Sequence, residues 1–173
     1  MPYLLSRLLL AATLWLGLAG PGVGATAPPP TPALDVVVLN DSDKPLSLEL
    51  DVPMWLESGT QASIDTVAQT PLVFAPTPPQ ILHELGADST LWIRLRLLRP
   101  AGSTQPWLLN IPTPNLDSVT LYQRASKDGW LLQTAGDTLP NAQWQRRGLY
   151  PEFELDLPPG VAQDIFLQVR NFK

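Results

Sequence analysis

The segment Leu91-Trp92-Ile93-Arg94-Leu95-Arg96-Leu97-Leu98 decides the fold class of this chain. Its odd-numbered positions are all aliphatic, and Trp92, Arg94 and Arg96 alternate with them, as in a strand with one core face and one outer face. Similar segments follow at Trp107–Ile111 and Leu116–Tyr122, and Pro, Gly or Asn closes each of the three. This succession predicts an antiparallel β domain.

Further strands are predicted on both sides of these segments. They lie at Asp35–Leu39, Leu46–Leu50, Val52–Leu56, Trp130–Thr134, Phe153–Leu157 and Ile165–Arg170, with a hairpin turn at Asp128-Gly129. One short helix is predicted at Ser63–Ala68, where Ser63 can cap the first turn. Seven or eight short strands with almost no helix predict an all-β fold, a β-sandwich or jelly roll.

The N-terminal residues have the pattern of a secretory signal peptide. Arg7 precedes an apolar run from Leu8 to Leu18, and Val23-Gly24-Ala25 offers small residues for cleavage after Ala25. An uncleaved membrane anchor is the alternative. We therefore predict a signal peptide at residues 1–25, a Pro-rich linker at 26–34 and one domain at 35–173.

Composition excludes several classes of function. The formal net charge is −5, which argues against nucleic-acid binding because that requires a basic face. The chain has no Cys and one His, so neither disulfides nor a structural zinc site are expected. Its last residues directly follow a predicted strand, and we therefore expect the chain to be a fragment of a longer protein.

Several segments in a fixed order resemble one family of bacterial domains. These segments are Trp55-Leu56-Glu57, Ser63–Ala68, Leu91–Arg94, Trp107–Leu109, Leu116–Tyr122, Gly136–Pro140, Arg147 and Pro151–Leu155. Together they resemble the type 2 extracellular domain of the seven-transmembrane receptors with diverse intracellular signalling modules. The sequence departs from that family at Leu97-Leu98-Arg99-Pro100, where a polar residue usually follows the strand.

This resemblance implies a jelly-roll sandwich similar to carbohydrate-binding modules, located in the periplasm. It also implies that a final strand, seven membrane helices and a cytoplasmic output domain follow in the full-length protein. The output would be a diguanylate cyclase or a histidine kinase, so any enzyme activity would lie outside this chain. We expect no catalytic residues, no metal and no cofactor here.

The candidate ligand-binding residues begin with Trp92, Arg94 and Arg96, which the strand period places on one face. An indole can stack on a sugar ring, and guanidinium groups bind carboxylates or hydroxyls. The alternative is an ordinary outer face on which the arginines cover Trp92 and pair with acidic side chains. Tyr122 belongs to the same face or is a cross-strand packing partner.

A second candidate region is the segment that contains Arg146 and Arg147, because specificity is often built into the loops at the ends of a sandwich. Either arginine can contact a ligand or form an ion pair with Asp137. Gly136-Asp137 itself is interpreted as a turn. The single His83 supports no catalytic triad.

Three functions follow from these observations. The first is a periplasmic sensor domain of a membrane receptor, which binds a small molecule, a carbohydrate or the periplasmic domain of a partner receptor. The second is a free-standing secreted carbohydrate-binding module. The third is a fragment of a secreted hydrolase, whose paired carboxylates the composition allows but no spacing indicates.

Overall fold

A computed structural model describes residues 35–41, 52–59, 62–70, 74–76, 85–113, 115–125 and 127–172. The strands in these ranges are β1 Val36–Val38, β2 Pro53–Ser58, β3 Ala75–Pro76, β4 Ser89–Leu98, β5 Trp107–Asn110, β6 Ser118–Arg124, β7 Trp130–Ala135, β8 Glu152–Leu155 and β9 Ala162–Arg170. The helix α1 spans Ile64–Gln69, and a single 3-10 turn spans Asn141–Gln143.

The larger sheet contains seven strands in the order β3-β2-β4-β9-β6-β7, with β1 parallel to the end of β4. Its centre is the antiparallel pair β4–β9, in register from Leu91 opposite Val169 to Leu98 opposite Ala162. Pro76 lies in β3 at one edge of the sheet, where its missing N–H breaks no ladder.

The smaller sheet is the antiparallel pair β5–β8, and the main core lies between the two sheets. Leu91, Leu95 and Leu97 of β4 are buried there with Phe153 of β8. Trp107 alternates in phase with Leu109 and Ile111, which predicts a core position, and it is partly buried against this cluster. The inward positions therefore follow the predicted alternation.

The opposite face of the larger sheet is also covered. Val67 of α1 and Phe74 pack on Trp92 and Phe166 in a second apolar cluster. The alternation of Ile165, Leu167 and Val169 in the sequence predicts that the other face of β9 is exposed to solvent. That prediction is wrong at Phe166, which is 2% exposed. Because α1 lies over this face, the central strands are buried on both sides.

Most of the predicted elements are confirmed. Each predicted strand inside the described ranges forms, and Gly129 closes the β6–β7 hairpin with a φ of 114°. The Ser63 hydroxyl accepts a hydrogen bond from the Thr66 N–H at 3.3 Å and so caps α1. The proposed signal peptide and linker, the segment Leu46–Leu50 and His83 lie outside the described residues. Apart from α1 and the short turn, the regular structure of the described residues is β-strand, consistent with the predicted all-β class.

No helix among the described residues has the length and apolar character needed to span a bilayer. Within the same residues, no group of three or more His, Cys, Asp and Glu side chains is placed to hold a metal ion. The Asp41 carboxylate accepts hydrogen bonds from the Ser103 hydroxyl and from the Thr104 N–H. These bonds lower the pKa of the carboxyl.

Two glutamine side chains join the sheets across one edge of β8. The Gln123 amide donates to the Glu154 carbonyl at 3.0 Å, and its oxygen accepts from the Asp156 N–H at 2.9 Å. Gln133 makes the corresponding pair with the N–H and carbonyl of Glu154, at 3.0 and 2.7 Å. Side-chain amides thus take the place of a neighbouring strand along β8.

Gln123→Leu is expected to lower the free energy of unfolding by about 1–3 kcal/mol, because it leaves the part-buried backbone N–H of Asp156, which directly follows β8, without its partner. Gln123 is 1% exposed, so water cannot easily replace the lost amide. Urea unfolding measures the loss. Gln133→Leu is the matched control, since its bonds are solvent-exposed and its loss should be smaller. Equal stabilities of Gln123→Leu and the parent would contradict this account.

Candidate functional site

The predicted stripe of Trp92, Arg94 and Arg96 follows β4 on the face that α1 partly covers. Trp92 has no exposed surface, and its indole N–H donates to a Glu57 carboxylate oxygen at 3.0 Å. The ring is therefore a packing element in this structure and offers no open face for stacking on a sugar. That differs from the expectation of an exposed platform, because segments far away in the sequence cover the strand.

The two arginines of the stripe differ in how firmly they are held. Arg94 lies 2.6 Å from a carboxylate oxygen of Asp164 and 5.6 Å above the centre of the Phe166 ring, and its side chain is 12% exposed. The Arg96 side chain is 43% exposed, and its Nε is 3.9 Å from the other Asp164 oxygen. Asp164 thus mainly neutralises Arg94, while Arg96 is free to turn towards solvent.

A cleft of about 200 Å³ opens beside Arg96, between α1 and the larger sheet. Its walls come from α1 and from strands β4, β6, β7 and β9. The lining residues are Ala68, Arg96, Arg124, Trp130, Ala162, Gln163, Asp164 and Phe166.

Trp130 connects the cleft to α1. Its indole N–H donates to the Asp65 carboxylate at 2.9 Å, which ties the helix to β7. The Arg124 guanidinium lies 3.9 Å from the centre of the Trp130 ring, a cation–π contact that covers one face of that ring. The edge of Trp130 also contacts Phe166, with ring centres 5.7 Å apart. The aromatic groups of the cleft therefore pack against each other, and Trp130 positions Arg124.

The cleft is positively charged in an acidic chain. Arg96 and Arg124 line it with one carboxylate, Asp164, and that carboxylate already pairs with Arg94. The whole sequence has a formal net charge of −5. A local excess of guanidinium groups in a partly enclosed space attracts anions and binds carboxylate or phosphate oxygens in a forked geometry.

Tyr122 lies on the same face as the stripe but does not line the cleft. Its ring is 5.8 Å from that of Trp92, and its hydroxyl donates to the Gln168 amide oxygen at 3.2 Å. Burial raises the pKa of this hydroxyl. Its contacts match the packing alternative in the sequence analysis.

The structure does not bring Arg146 and Arg147 to this cleft. Arg146 donates to Glu152 at 2.7 Å and to Glu154 at 3.2 Å, both on β8 in the smaller sheet, and these bonds raise its pKa. The expected partner of Arg146, Asp137, is thus replaced by glutamates that follow it in the sequence. Arg147 is exposed beside it.

A second, larger cleft of about 440 Å³ lies between β7 and β8. No cation and no aromatic ring lines it. Two of its polar residues, Gln123 and Gln133, already bond to the backbone of β8. The positively charged cleft is therefore the stronger candidate site.

Sequence reasoning identified Arg96 but missed Arg124, Trp130, Gln163 and Asp164. The available signal was cross-strand register. Arg124 and Trp130 are the residues opposite each other in the hairpin whose turn, Asp128-Gly129, was predicted. Asp164 lies opposite Arg96 across the β4–β9 pair, which local alternation cannot reveal.

These features define a β-rich domain of two sheets, with a charged cleft under a short helix. A family model described as 7TMR-DISM extracellular 2 matches residues 38–172, and the chain belongs to that family. The resemblance seen in the sequence is thereby confirmed. The family consists of extracellular, sensor-type domains of membrane receptors and is not a catalytic family, which indicates an extracellular or periplasmic location. A comparison with the curated proteins found no match.

Proposed function

We propose that this chain is the periplasmic ligand-sensing domain of a bacterial signalling receptor, and that the cleft beside α1 binds a small anionic ligand. The observation that carries this proposal is the pair of guanidinium groups, Arg96 and Arg124, on the walls of one cleft. Arg96 was a predicted site residue, and Arg124 is held in place by Trp130.

Family membership supports the sensor role, and the predicted signal peptide at residues 1–25 supports export to the periplasm. In the full-length receptor a diguanylate cyclase or histidine kinase would supply the output. A ligand that contacts both Ala68 of α1 and Phe166 of β9 would favour one arrangement of the helix on the sheet. Such a difference in affinity between arrangements is what a receptor needs to transmit binding.

The strand pairing supports a jelly-roll fold for the domain. In the order of the chain, β4 pairs with β9 and β5 pairs with β8, so the outer pair lies in the larger sheet and the inner pair in the smaller. Nested pairs that alternate between two sheets are characteristic of jelly rolls. The short α1 is an addition to this scheme.

The secreted carbohydrate-binding module receives less support. Such a module needs an aromatic ring with an open face for a sugar. In the described part of the chain, Trp92 is buried and Arg124 covers one face of Trp130. Without an open ring face, carbohydrate recognition in this cleft would depend mainly on hydrogen bonds. A small anion would form hydrogen bonds and ion pairs with the two guanidinium groups. No specific observation among the described residues supports the third alternative, a fragment of a secreted hydrolase.

Arg96→Gln and Arg124→Gln are each expected to weaken binding of succinate or inorganic phosphate about ten- to a hundredfold, because each removes a charge-assisted hydrogen bond. Isothermal titration calorimetry on the purified protein at low salt measures the change. Lys127→Gln is the matched control, since it removes one positive charge from the exposed β6–β7 turn and should leave affinity unchanged. The proposal fails if neither anion binds, or if both arginine variants bind like the parent.

A further inference from the structure

Two residues that line the cleft each have a buried side-chain acceptor atom with no hydrogen-bond partner among the described residues. These atoms are Oε1 of Gln163 and Oδ1 of Asp164, two neighbouring residues of β9. A buried acceptor without a donor costs free energy, so atoms of this kind mark a place where a donor is missing. The amide nitrogen of Gln163 is already used, since it donates to the Arg124 carbonyl at 3.4 Å.

The two guanidinium groups lie on either side of these acceptors. Arg96 on β4 is in register with Asp164 on β9. On the other side of β9, Tyr122 of β6 is in register with Phe166, and continuing that antiparallel register by two residues places Arg124 beside Asp164. The row Arg96–Asp164–Arg124 therefore crosses three adjacent strands. The Cα atoms of its two arginines are about 10 Å apart, which is two strand spacings.

The contacts of this row show which groups can move. One oxygen of Asp164 is 2.6 Å from Arg94, and this ion pair holds the carboxylate in position. Its other oxygen has only the Arg96 Nε at 3.9 Å, beyond hydrogen-bond distance. An Arg96 side chain that turns towards a ligand uncovers this oxygen for a donor on the same ligand.

From this arrangement, and resting on the proposed function, we infer that the ligand is a compact dicarboxylate with a hydrogen-bond donor on the carbons between its carboxylates. One carboxylate binds Arg96 and the other binds Arg124. The central donor, a hydroxyl or an ammonium group, lies against Asp164 and Gln163. A cleft of about 200 Å³ is small, which suits a ligand with a short carbon chain.

Calorimetry with four probes tests the inference on the purified protein. L-Malate, L-aspartate and succinate share two carboxylates and differ in the central group, whereas L-lactate has the hydroxyl but one carboxylate. Malate or aspartate is expected to bind about tenfold or more tightly than succinate, because succinate leaves the buried acceptors unpaired. Lactate is expected to bind more weakly than malate by a similar factor.

Gln163→Met is the diagnostic variant, since it keeps side-chain length and removes the acceptor. It should weaken the binding of malate or aspartate and bring the ratio of their affinity to that of succinate towards one. Lys127→Gln should leave this affinity ratio as in the parent. Far-ultraviolet circular dichroism confirms that each variant is folded. Equal binding of malate, aspartate and succinate, with all three dependent on Arg96, would overturn the inference and leave the proposed function standing. Lactate binding as tightly as malate would overturn the dicarboxylate part of the inference. Failure of all four probes would overturn the whole inference, and failure of inorganic phosphate as well would remove the proposed function.

Discussion

Replacing Trp92 by alanine is expected to lower the free energy of unfolding by about 3–5 kcal/mol, because it empties the centre of the second apolar cluster. Trp92 has no exposed surface and packs with Val67, Phe74 and Phe166. The substitution therefore removes the surface on which α1 rests and leaves a cavity on the outer face of the larger sheet. Urea unfolding followed by circular dichroism measures the loss.

Trp92→Phe separates the two roles of the side chain. It keeps most of the ring and removes the N–H that donates to Glu57 at 3.0 Å, in a buried contact. We expect a smaller loss, about 1–3 kcal/mol, since the carboxylate loses a donor while the cluster stays largely filled. Glu57 also accepts from the Ala62 N–H at 2.8 Å, just before α1 begins. A cost below about 1 kcal/mol for Trp92→Ala would mean that the helix side of the sheet contributes little to stability.

The strands of this domain were predictable because their signal is local. In β4 an aliphatic residue stands at every second position from 91 to 97, and Leu91, Leu95 and Leu97 among them are buried between the sheets. The helix α1 was predictable for the same reason, since a capping Ser63 precedes its one buried residue, Val67. Neither prediction required knowledge of what the element packs against.

The packing of α1 and Phe74 on the outer face of the larger sheet was not predictable from local sequence. The alternation placed Trp92 correctly on the face opposite the core, but it could not show that α1 and Phe74 pack on that face. This packing joins residues that are far apart in the sequence. A tryptophan on a nominally outer face can be buried when a helix crosses the sheet. The aromatic residues Phe166 on β9 and Trp130 on β7 were the available hint.

The cleft was only partly predictable for a related reason. Arg96 was identified from its own strand, whereas Arg124 and Asp164 join the site through strand order, which places β9 between β4 and β6. A strand pattern gives the face of a residue but not its neighbours on other strands. Arg146 was chosen because it lies in a predicted loop, and in the structure it pairs with Glu152 and Glu154 of the smaller sheet.

Gly136→Ala is expected to lower the free energy of unfolding by about 2–5 kcal/mol, through backbone strain and a steric clash. Gly136 follows β7 directly and has a φ of 129°, a conformation that residues with a Cβ rarely adopt. A Cβ built there would lie 2.6 Å from the Asp117 carbonyl oxygen and 2.9 Å from that of Leu116. Both contacts are with backbone atoms, so a side-chain rotation cannot relieve them.

The surrounding hydrogen bonds explain why this backbone cannot shift. The Asp137 N–H donates to the Leu116 carbonyl at 2.9 Å, and the Thr138 N–H and hydroxyl donate to the Asp117 carbonyl at 3.0 and 2.6 Å. The Asp117 carboxylate in turn accepts from the Phe172 N–H, beyond the end of β9. An alanine at position 136 would therefore disturb the approach to β6 and the segment that follows β9 together.

Gly102→Ala is the matched control for this prediction. A Cβ at Gly102 meets no atom within 4 Å, and its φ lies outside the left-handed range. We expect a change of less than about 1 kcal/mol there, because an alanine in an open and permitted conformation mainly restricts the unfolded chain. Thermal and urea unfolding of the two variants and the parent give the comparison. Equal stability of Gly136→Ala and Gly102→Ala would show that the turn after β7 can open without disturbing the approach to β6 or the segment that follows β9.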